Sequence, residues 1–149
     1  MNEAVIFVGI QGAGKSTFYR ERFFDTHVRI NLDMLRTRRR ERLLLEACLE
    51  AGQSFVVDNT NPTPSDRARY VVPARQRGFR VIAYFFDVDL RDAMKRNQQR
   101  PGAKNIPAVG VTATFRKLEP PTMAEAFNQI FTVHVREPNE FMVAQSLRT

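Results

Sequence analysis

The sequence predicts an α/β fold in which a parallel five-stranded sheet carries helices on both faces. Short apolar segments rich in Val, Ile and Phe recur along the chain, and helix-like segments separate them. Glycine or proline stands at most of the boundaries between these segments. A chain of 149 residues is long enough for about one domain with a single substantial core. We therefore expect one domain over residues 1–149.

The five predicted strands are short and apolar, as buried parallel strands are. In chain order they are EAVIFVG, HVRIN, SFVVD, RVIAYFFDV and QIFTVHV. The tail after about residue 138 shows little pattern, and we expect it to be loosely held.

The helices are predicted from apolar spacing and from residues that end helices. Residues 15–24 suit a first helix. Residues 32–52 suit one long helix, because apolar residues keep helical spacing from Leu44 to Ala51 and Gly52 is a natural stop. Two further helices are expected around SDRARYVVPARQRG and LRDAMKRNQQR. The polar segment RPGAKNIP predicts a mobile loop, a lid over about residues 100–107.

The composition indicates a soluble protein with a polyanionic partner. The net charge is +7, which favours binding to phosphates. Arginine outnumbers lysine by 19 to 4, a skew that GC-rich coding also produces. The single cysteine, Cys48, allows no internal disulfide, and no apolar run approaches the roughly 18 residues of a membrane span. No signal peptide is recognisable, so we expect a cytoplasmic protein without a membrane segment.

The segment GIQGAGKS fits the phosphate-binding pattern G-x-x-x-x-G-K-[ST] and lies between a predicted strand and a predicted helix. This placement predicts a P-loop NTPase or kinase fold that binds ATP. The glycines let the backbone N–H groups turn toward phosphate oxygens, Lys15 reaches the β- and γ-phosphates, and the Ser16 hydroxyl ligates Mg²⁺. The residues predicted to bind the nucleotide are Gly9, Gly12, Ala13, Gly14, Lys15, Ser16 and Thr17.

Two acids follow predicted strands at the sheet edge where ligands of α/β proteins bind. Asp58 ends SFVVD and is a candidate for the Mg²⁺ side of the site, although Asp and Asn also start turns ahead of a residue such as Pro62. Asp33 lies at the start of the helix after HVRIN. Its carboxylate suits a general base for an attacking hydroxyl, but it equally suits a helix-stabilising acid with Asn31 as the N-cap.

Cations near the predicted lid suit the charge that develops on a transferring phosphoryl group. Arg100 is the preferred residue, with Arg96 and Lys104 next. The alternative is a solvated helix end. Four arginines that follow are spread at 100° per residue around a helix, so they cannot all face one ligand: Arg38, Arg39, Arg40 and Arg42.

The segments GIQGAGKSTF, INLDMLR, VVDNTNPTPSDRARYV and EPPTMAEAFNQI, in this order and spacing, resemble the 5′-hydroxyl polynucleotide kinase family. The similarity is greatest to the kinase domain of the animal polynucleotide kinase/phosphatases, and it covers nearly the whole chain. The resemblance implies that Asp33 is the general base, that Arg36 contacts the acceptor or a phosphate, and that Arg100 is a lid arginine. Family members often carry a basic residue where this chain has Leu32.

The function expected from these features is ATP- and Mg²⁺-dependent transfer of phosphate to the 5′-hydroxyl end of DNA or RNA. Two alternatives stay open at this point. One is a small-molecule or nucleoside kinase on the same fold, because a fold does not fix the acceptor. The other is a nucleotide-binding protein without catalytic activity. The sequence predicts neither the oligomeric state nor a preference between DNA and RNA.

Overall fold

The computed structural model describes residues 2–100, 107–136 and 140–146, which form a six-stranded sheet flanked by helices. The strands are β1 (Glu3–Val8), β2 (Val28–Ile30), β3 (Phe55–Val57), β4 (Arg80–Phe86), β5 (Gln129–Arg136) and β6 (Glu140–Ser146). The helices are α1 (Lys15–Arg22), α2 (Leu32–Leu35), α3 (Arg38–Ala51), α4 (Pro64–Gln76), α5 (Leu90–Gln98) and α6 (Ala108–Lys117). A short 3₁₀ turn spans Met123–Glu125.

The order of strands across the sheet is β2-β3-β1-β4-β5-β6. The first five strands are parallel to one another, as predicted. Their carboxyl ends therefore meet at one edge, which collects the loops after β1, β2 and β3. Ligands bind at this edge in open α/β sheets.

The sixth strand, β6, differs from the prediction of five strands and a loosely held tail. It pairs antiparallel with β5, from Arg136 opposite Glu140 to Ile130 opposite Ser146. Phe141 and Val143, two residues apart, both pack on the apolar cluster around Phe18. Only these two apolar residues alternate in this way, and such a short pattern does not predict a strand.

Apolar side chains pack on both faces of the sheet, because successive strand residues point to opposite faces. On β1, Ala4, Ile6 and Val8 belong to one cluster, which α3 and α4 cover. Val5 and Phe7 belong to the other, which α1 covers and which side chains of β6 extend. This packing fixes β1, and with it the loop that follows β1.

The long helix predicted over residues 32–52 is two helices. The first, α2, ends after Leu35, and Arg36 follows with a φ of 78° in the left-handed region. The Thr37 side chain then accepts a hydrogen bond from the backbone N–H of Arg40 and caps α3. The apolar spacing of residues 44–51 belongs to α3 alone, so it carried no information about the break before it.

Helix α6 was not predicted, because Gly110 and several β-branched residues lower its helix propensity. Packing compensates: Val111 is buried in a small cluster with Ile10 and Ala93. The central part of the predicted lid, including Lys104, lies outside the described residues. Within the described ranges, no helix has the length and apolar character needed to cross a membrane.

Candidate active site

The loop between β1 and α1 has a backbone that only glycine adopts readily at two positions. Gly12 and Gly14 have φ angles of 80° and 94°. A Cβ on Gly12 would lie 2.1 Å from the carbonyl oxygen of Ala93 in α5, so the loop also packs too closely for a side chain there. The loop leads into α1, which begins at Lys15 without a side-chain cap or an acidic residue in its first turn. An uncapped helix N-terminus of this kind fits a phosphate.

The other predicted nucleotide-binding residues lie along this loop and the first turn of α1. Gly9 donates its N–H to the carbonyl oxygen of Thr60 at 3.0 Å, which ties the loop to the segment after β3. Ala13 is fully buried, and Thr17 is half-buried in the first turn of α1.

Lys15 lies near charged residues that are far from it along the chain. Its Nζ donates to the carbonyl oxygens of Gly9 at 2.9 Å and Ile10 at 2.8 Å. Burial lowers the pKa of Lys15 to about 8; the Asp58 carboxylate opposes this shift, the Arg100 guanidinium adds to it, and Asp33 opposes it. Asp33, Asp58 and Arg100 are thus all close enough to Lys15 to act on its charge.

This lowered pKa predicts a pH dependence of stability that Lys15 alone contributes. In the unfolded chain Lys15 titrates near 10.5, so below pH 8 both states carry its charge and folding bears the full cost of burying it. Between about pH 8 and 10.5 the unfolded chain binds more protons, and the free energy of unfolding rises with pH by up to about 3 kcal/mol. Urea denaturation of the wild type and Lys15→Met, at pH 7 and pH 10, should show this rise as a difference between them. Parallel pH profiles would refute it.

Ser16, Asp58 and Arg29 form a closed hydrogen-bonded triangle beside Lys15. The Ser16 hydroxyl donates to Oδ2 of Asp58 at 3.0 Å, and Asp58 is only 2% exposed. Arg29 donates from Nε to the same carboxylate oxygen at 2.9 Å and from Nη2 to the Ser16 hydroxyl at 3.0 Å. A hydroxyl and a carboxylate at this position are the oxygen ligands that Mg²⁺ prefers.

Arg29 was not among the predicted site residues. Its only signal is that it interrupts β2, where valine and isoleucine stand on either side. Its approach to Asp58 depends on the pairing of β2 with β3, which places the two strands side by side.

Asp33 lies in the single turn of α2 and is exposed. Asn31 is the N-cap: its Oδ1 accepts from the N–H of Met34 at 2.9 Å, and its Nδ2 donates to the carbonyl oxygen of Asp58 at 2.6 Å. The capping hydrogen bond is thus provided by Asn31. The carboxylate of Asp33 lies in the first turn, near the positive end of the helix dipole.

Arg36 and Arg100 are the two remaining candidates. Arg36 is exposed at the junction of α2 and α3, where the helix direction changes. Arg100 follows α5, and its N–H donates to the carbonyl oxygen of Asn97 at 3.1 Å. The Arg100 guanidinium lowers the pKa of Lys15, whereas Arg36 is not among the groups that shift this pKa.

Residues 5–121 match the protein-family model described as the AAA domain. The chain is 25% identical over 137 residues to a bifunctional polynucleotide phosphatase/kinase of Schizosaccharomyces pombe, a match that covers 86% of this chain and 32% of that protein. It is 32% identical over 78 residues to a putative bifunctional polynucleotide phosphatase/kinase of Acanthamoeba polyphaga mimivirus, covering 52% and 18%. The chain therefore spans a third or less of the length of these relatives.

Among solved structures, a gluconokinase from Sinorhizobium meliloti superposes with a TM-score of 0.64 at 19% identity, over 91% of this chain and 84% of that one. A likeness at this identity concerns the fold. It confirms the predicted α/β fold of the P-loop kinase type.

Proposed function

This chain belongs to the AAA domain family, and we propose that, as a P-loop kinase-type domain, it transfers the γ-phosphate of ATP to the 5′-hydroxyl end of a polynucleotide. The observation that carries the proposal is the hydrogen bond at 3.0 Å from Ser16, in the first turn of α1, to the buried Asp58 carboxylate after β3. It lies beside the Lys15 ammonium, whose pKa the charges of Asp58, Arg100 and Asp33 shift. An amine, two carboxylates and a guanidinium therefore lie near one another at one sheet edge. Phosphoryl transfer needs these four charges in one place.

The nucleotide is held by the loop and by α1. The N–H groups of the first turn of α1 and the ammonium of Lys15 face its phosphates. Ser16 and Asp58 would hold Mg²⁺, which would neutralise phosphate charge when bound. Arg29 keeps the Asp58 carboxylate turned toward Ser16, since one guanidinium binds both side chains.

The acceptor reacts on the side of α2. Its 5′-hydroxyl gives its proton to the Asp33 carboxylate as the oxygen forms a bond to the γ-phosphorus. The bond from that phosphorus to the bridging oxygen breaks, and ADP leaves. Arg100 neutralises charge on the transferring group. Arg36 contacts the acceptor from the junction after α2.

The polynucleotide acceptor is supported by the relatives and by charge. The chain matches a polynucleotide phosphatase/kinase over 86% of its own length. It carries a net charge of +7, and Arg36, Arg39, Arg40 and Arg42, beside α2 and along α3, are exposed. A run of cations beside the proposed base suits a strand of phosphates rather than a small neutral acceptor.

The proposal is tested by transfer of labelled γ-phosphate from ATP. The acceptors are 5′-hydroxyl oligonucleotides of DNA and RNA, the same oligonucleotides already carrying a 5′-phosphate, and a panel of nucleosides and sugars. Label on the 5′-hydroxyl oligonucleotides alone supports the proposal. Label on a nucleoside or sugar alone identifies a small-molecule kinase, and ATP binding without transfer to any acceptor identifies a non-catalytic protein.

A pair of arginines on α3 is expected to contribute to the salt dependence of oligonucleotide binding. Arg39 and Arg42 are exposed and three residues apart, so they share a face of α3. If each contacts a phosphate, the double variant Arg39→Gln/Arg42→Gln should reduce the slope of log K against log salt by about 1.4 for a single strand. Fluorescence anisotropy at about 50 to 200 mM salt measures this slope, because the affinity of such complexes falls steeply over that range.

The matched control is Arg75→Gln/Arg77→Gln. These two arginines are also exposed, but they lie at the C-terminal end of α4, near the opposite edge of the sheet. This control should leave the slope unchanged. Equal slopes for all three proteins would exclude α3 from the acceptor surface.

A further inference from the structure

A buried polar cluster that the proposed mechanism does not use lies behind α2. It consists of Glu41, Asn59 and Tyr70, with Arg38 at its solvent side. Glu41 is 1% exposed, although a buried carboxylate is costly unless it is fully paired. Its Oε1 accepts from Arg38 Nη1 at 2.7 Å, and its Oε2 accepts from Asn59 Nδ2 at 2.9 Å and from the Tyr70 hydroxyl at 3.0 Å.

The cluster fixes the direction of one side-chain amide. Nδ2 of Asn59 donates to Glu41 and, at 3.2 Å, to the Tyr70 hydroxyl. An ionised carboxylate only accepts hydrogen bonds, so it selects the NH₂ end of the amide. The Oδ1 end of Asn59 then faces outward and accepts from the backbone N–H of Leu32 at 2.9 Å. Leu32 is the first residue of α2.

Helix α2 depends on such polar contacts for its position. It is a single turn of four residues, and none of them is buried. A helix this short is not stable by itself, and its packing on the core comes from one partly buried leucine at its C-terminal end. Two amide side chains connect it to the end of β3: Asn59 to the N–H of Leu32, and Asn31 to the carbonyl oxygen of Asp58. Asp33 directly follows these two connected residues.

We infer that Glu41 is a positioning residue for Asp33. It orients the Asn59 amide, which holds the start of α2, so that the Asp33 carboxylate is placed toward the site of transfer. This inference rests on the proposed function for the role of Asp33. The contacts from Glu41 to Leu32 stand independently of that role.

Glu41→Gln tests the inference because it keeps the shape of the side chain and changes its hydrogen bonding. Glutamine has one acceptor oxygen where the carboxylate has two. In either orientation of its amide, it therefore presents an NH₂ group to one of the two donors, Arg38 or Asn59. The Asn59 amide loses its fixed orientation, and the Leu32 N–H loses its partner for part of the time.

The experiment has two readouts on the same proteins. Hydrogen exchange by NMR reports the Leu32 amide, which should exchange at least about 10-fold faster in Glu41→Gln. Single-turnover transfer to a 5′-hydroxyl oligonucleotide should fall about 10-fold with the Kd for ATP unchanged, because misplacing a reacting group lowers the rate without weakening ground-state binding. A merely structural role for Glu41 would not separate rate from affinity in this way.

The matched control is Glu46→Gln, the same substitution on the same helix. Glu46 is exposed and pairs only loosely with Arg77 at 3.5 Å, so both readouts should equal the wild type. If Glu41→Gln does not fold, Asn59→Ala removes the contact to Leu32 directly and carries the same two readouts. Unchanged exchange at Leu32 overturns the inference whatever the rates are. If the wild type phosphorylates no polynucleotide, the proposed function is refuted. The exchange rates of the Leu32 amide still show, independently, whether Glu41 holds α2 in position.

Discussion

Replacing Lys15 with methionine is expected to lower phosphoryl transfer by at least about 10³-fold while the protein stays folded. Lys15 is the first residue of α1, and the charges of Asp58, Arg100 and Asp33 act on its ammonium. Methionine keeps the length and apolar stem of the side chain but has no charge for the γ-phosphate. The Kd for ATP should rise as well, since the ammonium binds the ground state and the transition state.

The control for this loss is Lys95→Met. Lys95 is exposed on α5, so its replacement should leave transfer and ATP affinity unchanged. Fold integrity is checked by urea denaturation at pH 7, where Lys15→Met should not be less stable than the wild type by more than about 1 kcal/mol, because the variant also removes the cost of a buried charge. A Lys15→Met protein with near wild-type turnover would move the nucleotide site elsewhere.

The features that the sequence predicted correctly depend on neighbouring residues. The phosphate loop is a contiguous strand–loop–helix unit, and its glycines lie at positions with positive φ. Asn31 as N-cap of the helix that carries Asp33 is a contact between residues three apart. Such features can be predicted from the sequence because they do not depend on the position of any distant part of the chain.

The features that the sequence did not predict depend on distant contacts. Arg29 reaches Asp58 and Ser16 only because β2 lies beside β3. Glu41 meets Tyr70 across two helices, 29 positions apart in the chain. Strand β6 required the packing of Phe141 on Phe18, which the local pattern does not reveal. Charged residues that pair through tertiary contacts look like ordinary surface residues in a sequence.

Replacing Asp33 with asparagine is expected to lower single-turnover phosphoryl transfer by about 10²-fold or more. An amide has nearly the same shape as the carboxylate but cannot accept the proton of the attacking hydroxyl. The Kd for ATP should not change, because the role we propose for Asp33 is toward the acceptor hydroxyl and not toward the nucleotide. The free energy of unfolding should change by less than about 1 kcal/mol, since Asn31 supplies the capping hydrogen bond and only the dipole contribution of the Asp33 charge is lost.

Two variants separate this role from a purely structural one. Asp25→Asn changes an exposed aspartate in the turn after α1, on the far side of α1 from the loop, and should keep the wild-type rate. Asp33→Ala should lose the rate to the same extent as Asp33→Asn, because both lack a proton acceptor. If Asp33 served only the helix dipole, both Asp33 variants would transfer phosphate at the wild-type rate and lose a few tenths of a kcal/mol to about 1 kcal/mol of stability. The rate and the melting temperature, measured on all three proteins, therefore distinguish a base from a helix-stabilising acid.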